Sequence, residues 1–301
     1  MHVVVAGSSG FIGSALVPAL RGHGHTVRLL VRRPVQRADE IRWDPAEGRL
    51  DPDDLAGVDA VVDLAGVNAA SRPLTPARKR EVVASRVDSA GLLARTLAAE
   101  TGVGAGGRPR ILLQASGIGA YGDRGDDVLD EQEPIGDTFF AGVVRQWEAA
   151  TAPAADAGVR VALLRTGIVL GPSGGALGRL LPLVRLGVGG RLGSGRQLWP
   201  WITLVDEVRA IEHLLTTPVH GPVNLVTRAD RNVDVIRALA DAFGRPAAVP
   251  VPAWALRTVL GDFSSEVLGS IGAVPAVLAA SGFRPVHADL PSAARWVASG
   301  V

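Results

Sequence analysis

The run Val3-Val4-Val5-Ala6-Gly7-Ser8-Ser9-Gly10-Phe11-Ile12-Gly13 constrains the fold more than any other stretch. It reads as a buried strand, a sharp glycine turn and the start of a helix near Phe11–Arg21. A glycine at the first position lets the chain turn sharply. One at the second lets backbone approach a pyrophosphate, and one at the third lets helix pack on strand. The helix N-terminus then offers free N–H groups and a partial positive charge to phosphate. The spacing is Gly-x-x-Gly-x-x-Gly and not Gly-x-Gly-x-x-Gly; its place at position 7, with a strand before it and a helix after it, makes a dinucleotide the expected ligand.

Apolar runs alternate with amphipathic segments through the first half of the chain. His25–Val31, Ala60–Leu64, Ile111–Ala115 and Val159–Arg165 read as strands; Pro76–Ala99 and Asp137–Ala157 read as helices. Continuous apolar strands between helices imply a parallel sheet covered on both faces. Gly102–Arg108 reads as a flexible surface loop. Beyond about Gly171 the alternation stops. Short helices are expected near Leu177–Leu186, Val205–Thr217, Val233–Phe243, Trp254–Leu260 and Val274–Ser281. The expected architecture is α/β. Residues 1–170 form a Rossmann-type doubly wound parallel sheet, with segments returning to it from about 200–228. Residues 171–301 form a smaller C-terminal α/β cap closing over the ligand edge.

The second strand bears on the cofactor. An acid at its end would bind a ribose 2′-hydroxyl, whereas arginine suits a 2′-phosphate. Here it ends Val31-Arg32-Arg33-Pro34, with no acid until Asp39. NADP(H) is expected, held by Arg32 and Arg33.

The composition excludes several classes. There is no cysteine, so disulfides, thiolate metal sites and a cysteine nucleophile are out. The histidines show no metal-ligand spacing, and no metal is expected. Net charge is +1, with no basic tract to suggest nucleic acid. No apolar run reaches the roughly 18 residues of a membrane span, and the first residues lack a signal-peptide pattern. A cytoplasmic protein with a small-molecule substrate is the expectation.

Further segments narrow the family. Asp59-Ala60-Val61-Val62-Asp63-Leu64-Ala65-Gly66, Ser85-Arg86-Val87, Ala115–Gly125, Trp147-Glu148-Ala149, Leu164–Gly171, Gly189–Gln197 and Pro250–Ala253 occur together. With the glycine turn, the chain resembles the extended short-chain dehydrogenase/reductase superfamily. Within it, the chain is similar to the atypical epimerase family, a group often named nucleoside-diphosphate-sugar epimerases. That family carries a C-terminal segment of undefined function, matched here by 249–296. The resemblance implies that Gly7, Ser8, Gly10, Phe11 and Ile12 contact the pyrophosphate, with Ser9 in the same turn. It gives Arg32 the 2′-phosphate, Leu64, Ala65 and Gly66 the adenine-ribose side, and Ser116 the strand end facing the nicotinamide. It also implies a homodimer paired through Pro76–Ala99 and Asp137–Ala157.

One pair that the resemblance leads us to look for is missing. Redox members use a tyrosine with a lysine four residues on, the lysine lowering the phenol's pKa. Here Lys79 is the only lysine and Tyr121 the only tyrosine. Counting back from Glu148, the two positions fall on Phe140 and Val144, neither of which transfers a proton. Either Tyr121 supplies the proton, alone or with Ser116 and with Arg124 beside its phenolate, or the nucleotide is structural or regulatory. A sensor or scaffold, and a non-redox enzyme in the same cleft, therefore stand beside an oxidoreductase.

The remaining candidates belong to the cap. Reading Trp199-Pro200-Trp201 as a strand puts one tryptophan toward the cleft and one toward core or solvent, as an aromatic wall for substrate. Arg196, with Ser194 and Gln197, sits in a glycine-rich loop suited to a polar or anionic ligand. Thr203 stands where the family usually has histidine, and Asp206 is expected to cap the following helix.

Overall fold

The computed structural model describes residues 1–99, 104, 110–173, 175, 177, 178 and 180–300. The chain opens with β1 (His2–Ala6), α1 (Phe11–Gly22) and β2 (Thr26–Val31), then a short edge strand β3 (Glu40–Arg42) and β4 (Ala60–Asp63). The long helix α2 (Pro76–Ala99) leads to β5 (Ile111–Gly117). The loop expected over 102–108 lies, apart from Gly104, outside the described residues. A two-residue strand β6 (Val128–Leu129) precedes α3 (Phe139–Ala149), α4 (Ala152–Asp156) and β7 (Arg160–Thr166).

The expected single helix over Asp137–Ala157 is thus two. Thr138 caps α3 by accepting from the Ala141 N–H. Pro153, which has no N–H, falls in the first turn of α4, where that lack costs nothing.

The cap side follows as β8 (Ile168–Leu170), α5 (Leu181–Arg185), β9 (Leu198–Thr203), α6 (Leu204–Thr216), β10 (Gly221–Leu225), β11 (Arg228–Arg231) and α7 (Asn232–Ala242). The C-terminal segment holds α8 (Ala253–Leu260), α9 (Ser264–Leu268), β12 (Gly272–Ala273), α10 (Ala276–Ala280) and α11 (Leu290–Ser299).

The fold is α/β. Seven strands form one parallel sheet in the order β10-β7-β5-β4-β1-β2-β3. Alternate residues of each strand feed different cores, as a two-residue period requires. Val3, Val5 and Val62 pack with Leu16 and Leu20 of α1 and Ile211 and Leu214 of α6. Val4, Ala6 and Val61 pack on the other face with Leu93 and Leu97 of α2. The chain reverses its direction across the sheet between β1 and β4. That reversal opens a crevice beyond the carboxyl ends of these strands, where ligands of such sheets bind.

A second core sits under the cap. It joins Leu181 and Val184 of α5, Trp199 and Trp201 of β9, Ile236 of α7 and Val297 of α11. The small sheet above it runs β11-β9-β8, and β12 pairs with β6. That last pairing ties the C-terminal segment to the loop that follows β5.

The cap of α6 differs from expectation. Thr203 is the capping residue, its Oγ1 accepting from the Asp206 N–H at 3.2 Å. The Asp206 carboxylate instead accepts from the backbone N–H groups of Val286 at 2.7 Å and His287 at 3.0 Å. A carboxylate inside the helix thereby anchors the C-terminal segment. Among the described residues no helix is long and apolar enough to cross a membrane.

Candidate functional site

The crevice begins at the glycine turn. Gly7 has φ +74°, a conformation side chains rarely adopt, and a Cβ there would lie 2.5 Å from the Leu64 carbonyl oxygen. A Cβ on Gly13 would lie 2.3 Å from the Gly7 oxygen, so helix and turn meet as closely as backbone allows. Gly10 caps α1 without a side chain, and the first turn carries no acid. The first N–H bonded within the helix is that of Ser14, to Gly10 O at 2.9 Å. The Gly10 N–H is taken by the Gly7 carbonyl at 3.0 Å, and the N–H groups of Phe11, Ile12 and Gly13 are open, which is the geometry a pyrophosphate needs. The ring of Phe11 lies against Gly171 and Gly175, where side chains would run into it.

Leu64, Ala65 and Gly66 face this turn. Their path is set by Asp63, fully buried at the end of β4. Asp63 accepts from the Ala65 N–H at 2.9 Å, Ser89 Oγ at 2.7 Å and Gln114 Nε2 at 2.9 Å. Burial pushes its carboxyl above the usual range, against those three hydrogen bonds. Arg86 of α2 touches Gly66 and stacks over Trp147 with 5.1 Å to the ring centroid. It donates only to the Val67 and Val82 carbonyls. Burial, with Arg78 nearby, brings its pKa down to about 10.

The two arginines after β2 separate. Arg33 is bound to Glu40 of β3 by bonds of 2.8 and 2.6 Å, and Arg37 joins them at 2.9 Å. The Arg33 bonds, with the Gln36 N–H and Arg37, hold Glu40 down to about 2. Arg33, expected with Arg32 on the 2′-phosphate, is thus engaged by Glu40. Arg32 is exposed and makes no hydrogen bond or ion pair. Of the two, only Arg32 is free for a phosphate.

Ser116 and Tyr121 do meet, through other residues. Ser116 Oγ donates to Glu148 Oε1 at 2.7 Å. Glu148 receives Arg165 in a two-pronged bond, 2.9 Å for each prong. Arg165 Nη1 in turn donates to the Tyr121 hydroxyl at 3.2 Å. That hydroxyl also lies 2.9 Å from both the Asp130 carbonyl and Asn224 Oδ1. Tyr121 is 1% exposed, in a small core with Leu129 and Ile271. Burial pushes its phenol up, more than Arg165 draws it down.

This corrects the expected catalytic and substrate-binding roles of Tyr121. The turn Ile118–Ala120 folds it back into the protein, away from the crevice, and its partner is Arg165, while Arg124 pairs with Glu133. Ser116 is at the crevice, but its one proton already goes to Glu148, so toward a ligand it can only accept.

Neither tryptophan walls a cleft. Residues two apart on a strand share a face, and both Trp199 (5% exposed) and Trp201 (0%) point into the cap core. Their indole N–H groups donate to Val267 O and Asp230 Oδ2. Gln197 is buried and donates to Leu192 O and Val267 O, a loop pin. Arg196 is exposed and its side chain makes no hydrogen bond, though its charge acts on Asp126.

Two carboxylates take places the sequence did not indicate, although Asp206-Glu207 marks an acidic helix start. Glu207, fully buried in the first turn of α6, accepts from Thr166 Oγ1 at 2.8 Å while its other oxygen has no partner. Burial pushes it up to about 8. Glu266 of α9 lies against Gly119 and Phe140. Glu207 stands beside Asp206 at a helix start and Glu266 follows two serines, so neither spacing signals burial. Among the described residues, no group of His, Asp or Glu is placed to hold a metal.

The model of the NAD dependent epimerase/dehydratase family matches residues 3–226, and a domain of unknown function matches residues 251–297. The chain belongs to that epimerase/dehydratase family. An epimerase family protein of Mycobacterium tuberculosis is 43% identical over 289 residues, 95% of this chain and 93% of that protein. The crystal structure of human epimerase family protein SDR39U1 (isoform 2) with NADPH superposes with a TM-score of 0.90 at 32% identity, covering 100% of both chains. A nucleoside-diphosphate sugar epimerase from Corynebacterium glutamicum has a TM-score of 0.78 at 32% identity, over 98% of this chain and 58% of that one. Phe140 and Val144, the positions counted back from Glu148 for the tyrosine and lysine, both lie on α3, Phe140 partly buried and Val144 buried.

Proposed function

We propose that this protein binds NADP(H) in the crevice beyond β1, β4 and β5. On this reading it is an oxidoreductase or epimerase-like enzyme for a small-molecule substrate. The observation that carries the reading is the partnerless Arg32 at the end of β2, beside an α1 N-terminus whose first N–H groups, of Phe11, Ile12 and Gly13, are open. The human relative solved with NADPH supports the same cofactor. The α1 N-terminus would hold the pyrophosphate, Arg32 the 2′-phosphate, and Leu64–Gly66 the adenine-ribose side. When bound, the nicotinamide supplies or accepts a hydride; positioning and proton transfer fall to the chain. Ser116, fixed by Glu148, offers a lone pair toward that end of the crevice. A second reading, binding without turnover, is favoured by Phe140, Val144 and the enclosed Tyr121 hydroxyl.

A thermal-shift titration with NADPH, NADP⁺, NADH and NAD⁺ tests the cofactor. A ligand at about 100 times its Kd stabilises by about 2.7 kcal/mol. The expected result is a clear shift with the two phosphorylated forms and a smaller one with NADH and NAD⁺. No shift with any of the four would overturn the reading.

A further inference from the structure

Phe140 stands at the position counted back from Glu148 for the proton-transfer tyrosine, and a carboxylate approaches the same glycine as its Cβ. It is Glu266, carried by α9 in the C-terminal segment of unknown function. A Cβ on Gly119 would lie 2.7 Å from Glu266 Oε2 and 3.4 Å from Phe140 Cβ. The missing side chain at Gly119 therefore makes the room this carboxylate occupies. Gly119 lies in the turn directly after Ser116 and Gly117, at the carboxyl end of β5. Three remote parts of the chain thus meet at the end of the crevice where Ser116 stands.

Glu266 is half-buried and has no hydrogen-bond or ion-pair partner. Two other buried acids near the crevice are engaged. Asp63 has three donors, and Glu148 has Ser116 and Arg165. Holding a carboxylate half out of water without a partner disfavours its charged form. Groups kept that way cluster at functional sites. The wall beside it is aromatic, with the Phe140 and Phe263 rings edge to face at 5.7 Å. The charged side chains on neighbouring elements are committed elsewhere. Asp262 pairs with Lys79 of α2, and Asp123 accepts from the Gly125 and Ser270 N–H groups. Burial alone raises the Glu266 carboxyl to about 7, where acid and base forms are both available at neutral pH.

We propose that Glu266 is the proton-transfer residue of this crevice, acting on a substrate with a carbonyl or a secondary alcohol. The proposal rests on the NADP(H) reading above. In the reducing direction Glu266 gives its proton to the substrate oxygen as the carbonyl carbon gains the hydride of the reduced nicotinamide. The C=O π bond is lost, C–H and O–H bonds form, and Glu266 is left as carboxylate, to be reprotonated by water. In the oxidising direction the carboxylate takes the alcohol proton as the carbinol C–H bond breaks, its hydride passes to NADP⁺ and the C=O π bond forms. The segment of unknown function would then be the part that completes the active site.

The test does not need the substrate. NADP⁺ carries a positive charge on its nicotinamide that NADPH lacks, so a nearby carboxylate favours NADP⁺ only when ionised. Kd values for both nucleotides are measured from about pH 6 to about pH 8 with the protein and with Glu266→Gln. The expected ratio Kd(NADPH)/Kd(NADP⁺) rises about threefold or more across that range, with a midpoint near 7. In Glu266→Gln it stays flat, with NADPH affinity kept. Equal pH dependence in both proteins, or none in the unsubstituted one, overturns the proposal and leaves the cofactor reading standing. Failure of both nucleotides to bind overturns both.

Discussion

Replacing Glu148 by alanine is expected to cost about 3–5 kcal/mol of stability, the usual penalty for stranding one partner of a buried ion pair. Glu148 and Arg165 are 9% and 4% exposed at their side chains. Arg165 donates twice to Glu148 and once to the Tyr121 hydroxyl, so its charge has no other carboxylate to turn to. The same change frees Ser116 Oγ, which now donates to Glu148. Urea unfolding at neutral pH measures the loss. The double change Glu148→Leu with Arg165→Met should cost less than Glu148→Ala alone, because no charge is then stranded. A single-variant loss below about 1 kcal/mol would show that the pair does not carry this load.

The second large effect is a pH dependence set by Glu207. Its carboxyl is fully buried, with one oxygen partnered by Thr166 and the other by nothing. Burial holds the folded-state value near 8, whereas an unfolded glutamate releases its proton at roughly 4.3. Between these values the folded chain binds more protons than the unfolded one, so stability falls as pH rises. The contribution is complete below the unfolded value and lost as pH climbs through the folded value. The loss from about pH 5 to about pH 8 is about 3 kcal/mol. Asp63, Glu131 and Glu266 are also raised by burial and slope the same way, so the difference between variants is the informative quantity. Unfolding at several pH values should show a flatter profile for Glu207→Gln than for the unsubstituted protein. Equal slopes would contradict the buried, protonated state.

Local patterns were legible in the sequence, and long-range placement was not. The glycine turn stands on its own residues, since strand, turn and helix all lie within Val3–Gly13. Arg32 and Arg33 are adjacent and chemically identical. They part only because Glu40 lies on an edge strand too short to show a periodicity. Tyr121 drew attention as the sole tyrosine, yet one turn after β5 returns it to a core built with Leu129 and Ile271. The two tryptophans of β9 follow the strand's own period and share a face, so the aromatic wall fails on geometry alone. Glu266 had no local signal. Its meaning comes from Gly119 and Phe140, residues the chain brings beside it only when the C-terminal segment folds back onto β6.

Isothermal titration of NADPH and NADH into the protein, Arg32→Ala and Arg33→Ala tests the central claim most directly. A charge-assisted hydrogen bond contributes about 1.5–3 kcal/mol, and about 1.4 kcal/mol is tenfold in affinity. Arg32→Ala is expected to weaken NADPH by about 10–100-fold and to leave NADH within about twofold. Arg33→Ala, its side chain already held by Glu40, should leave NADPH close to the unsubstituted value. NADPH binding that is indifferent to Arg32, or that collapses with Arg33 instead, would contradict the account.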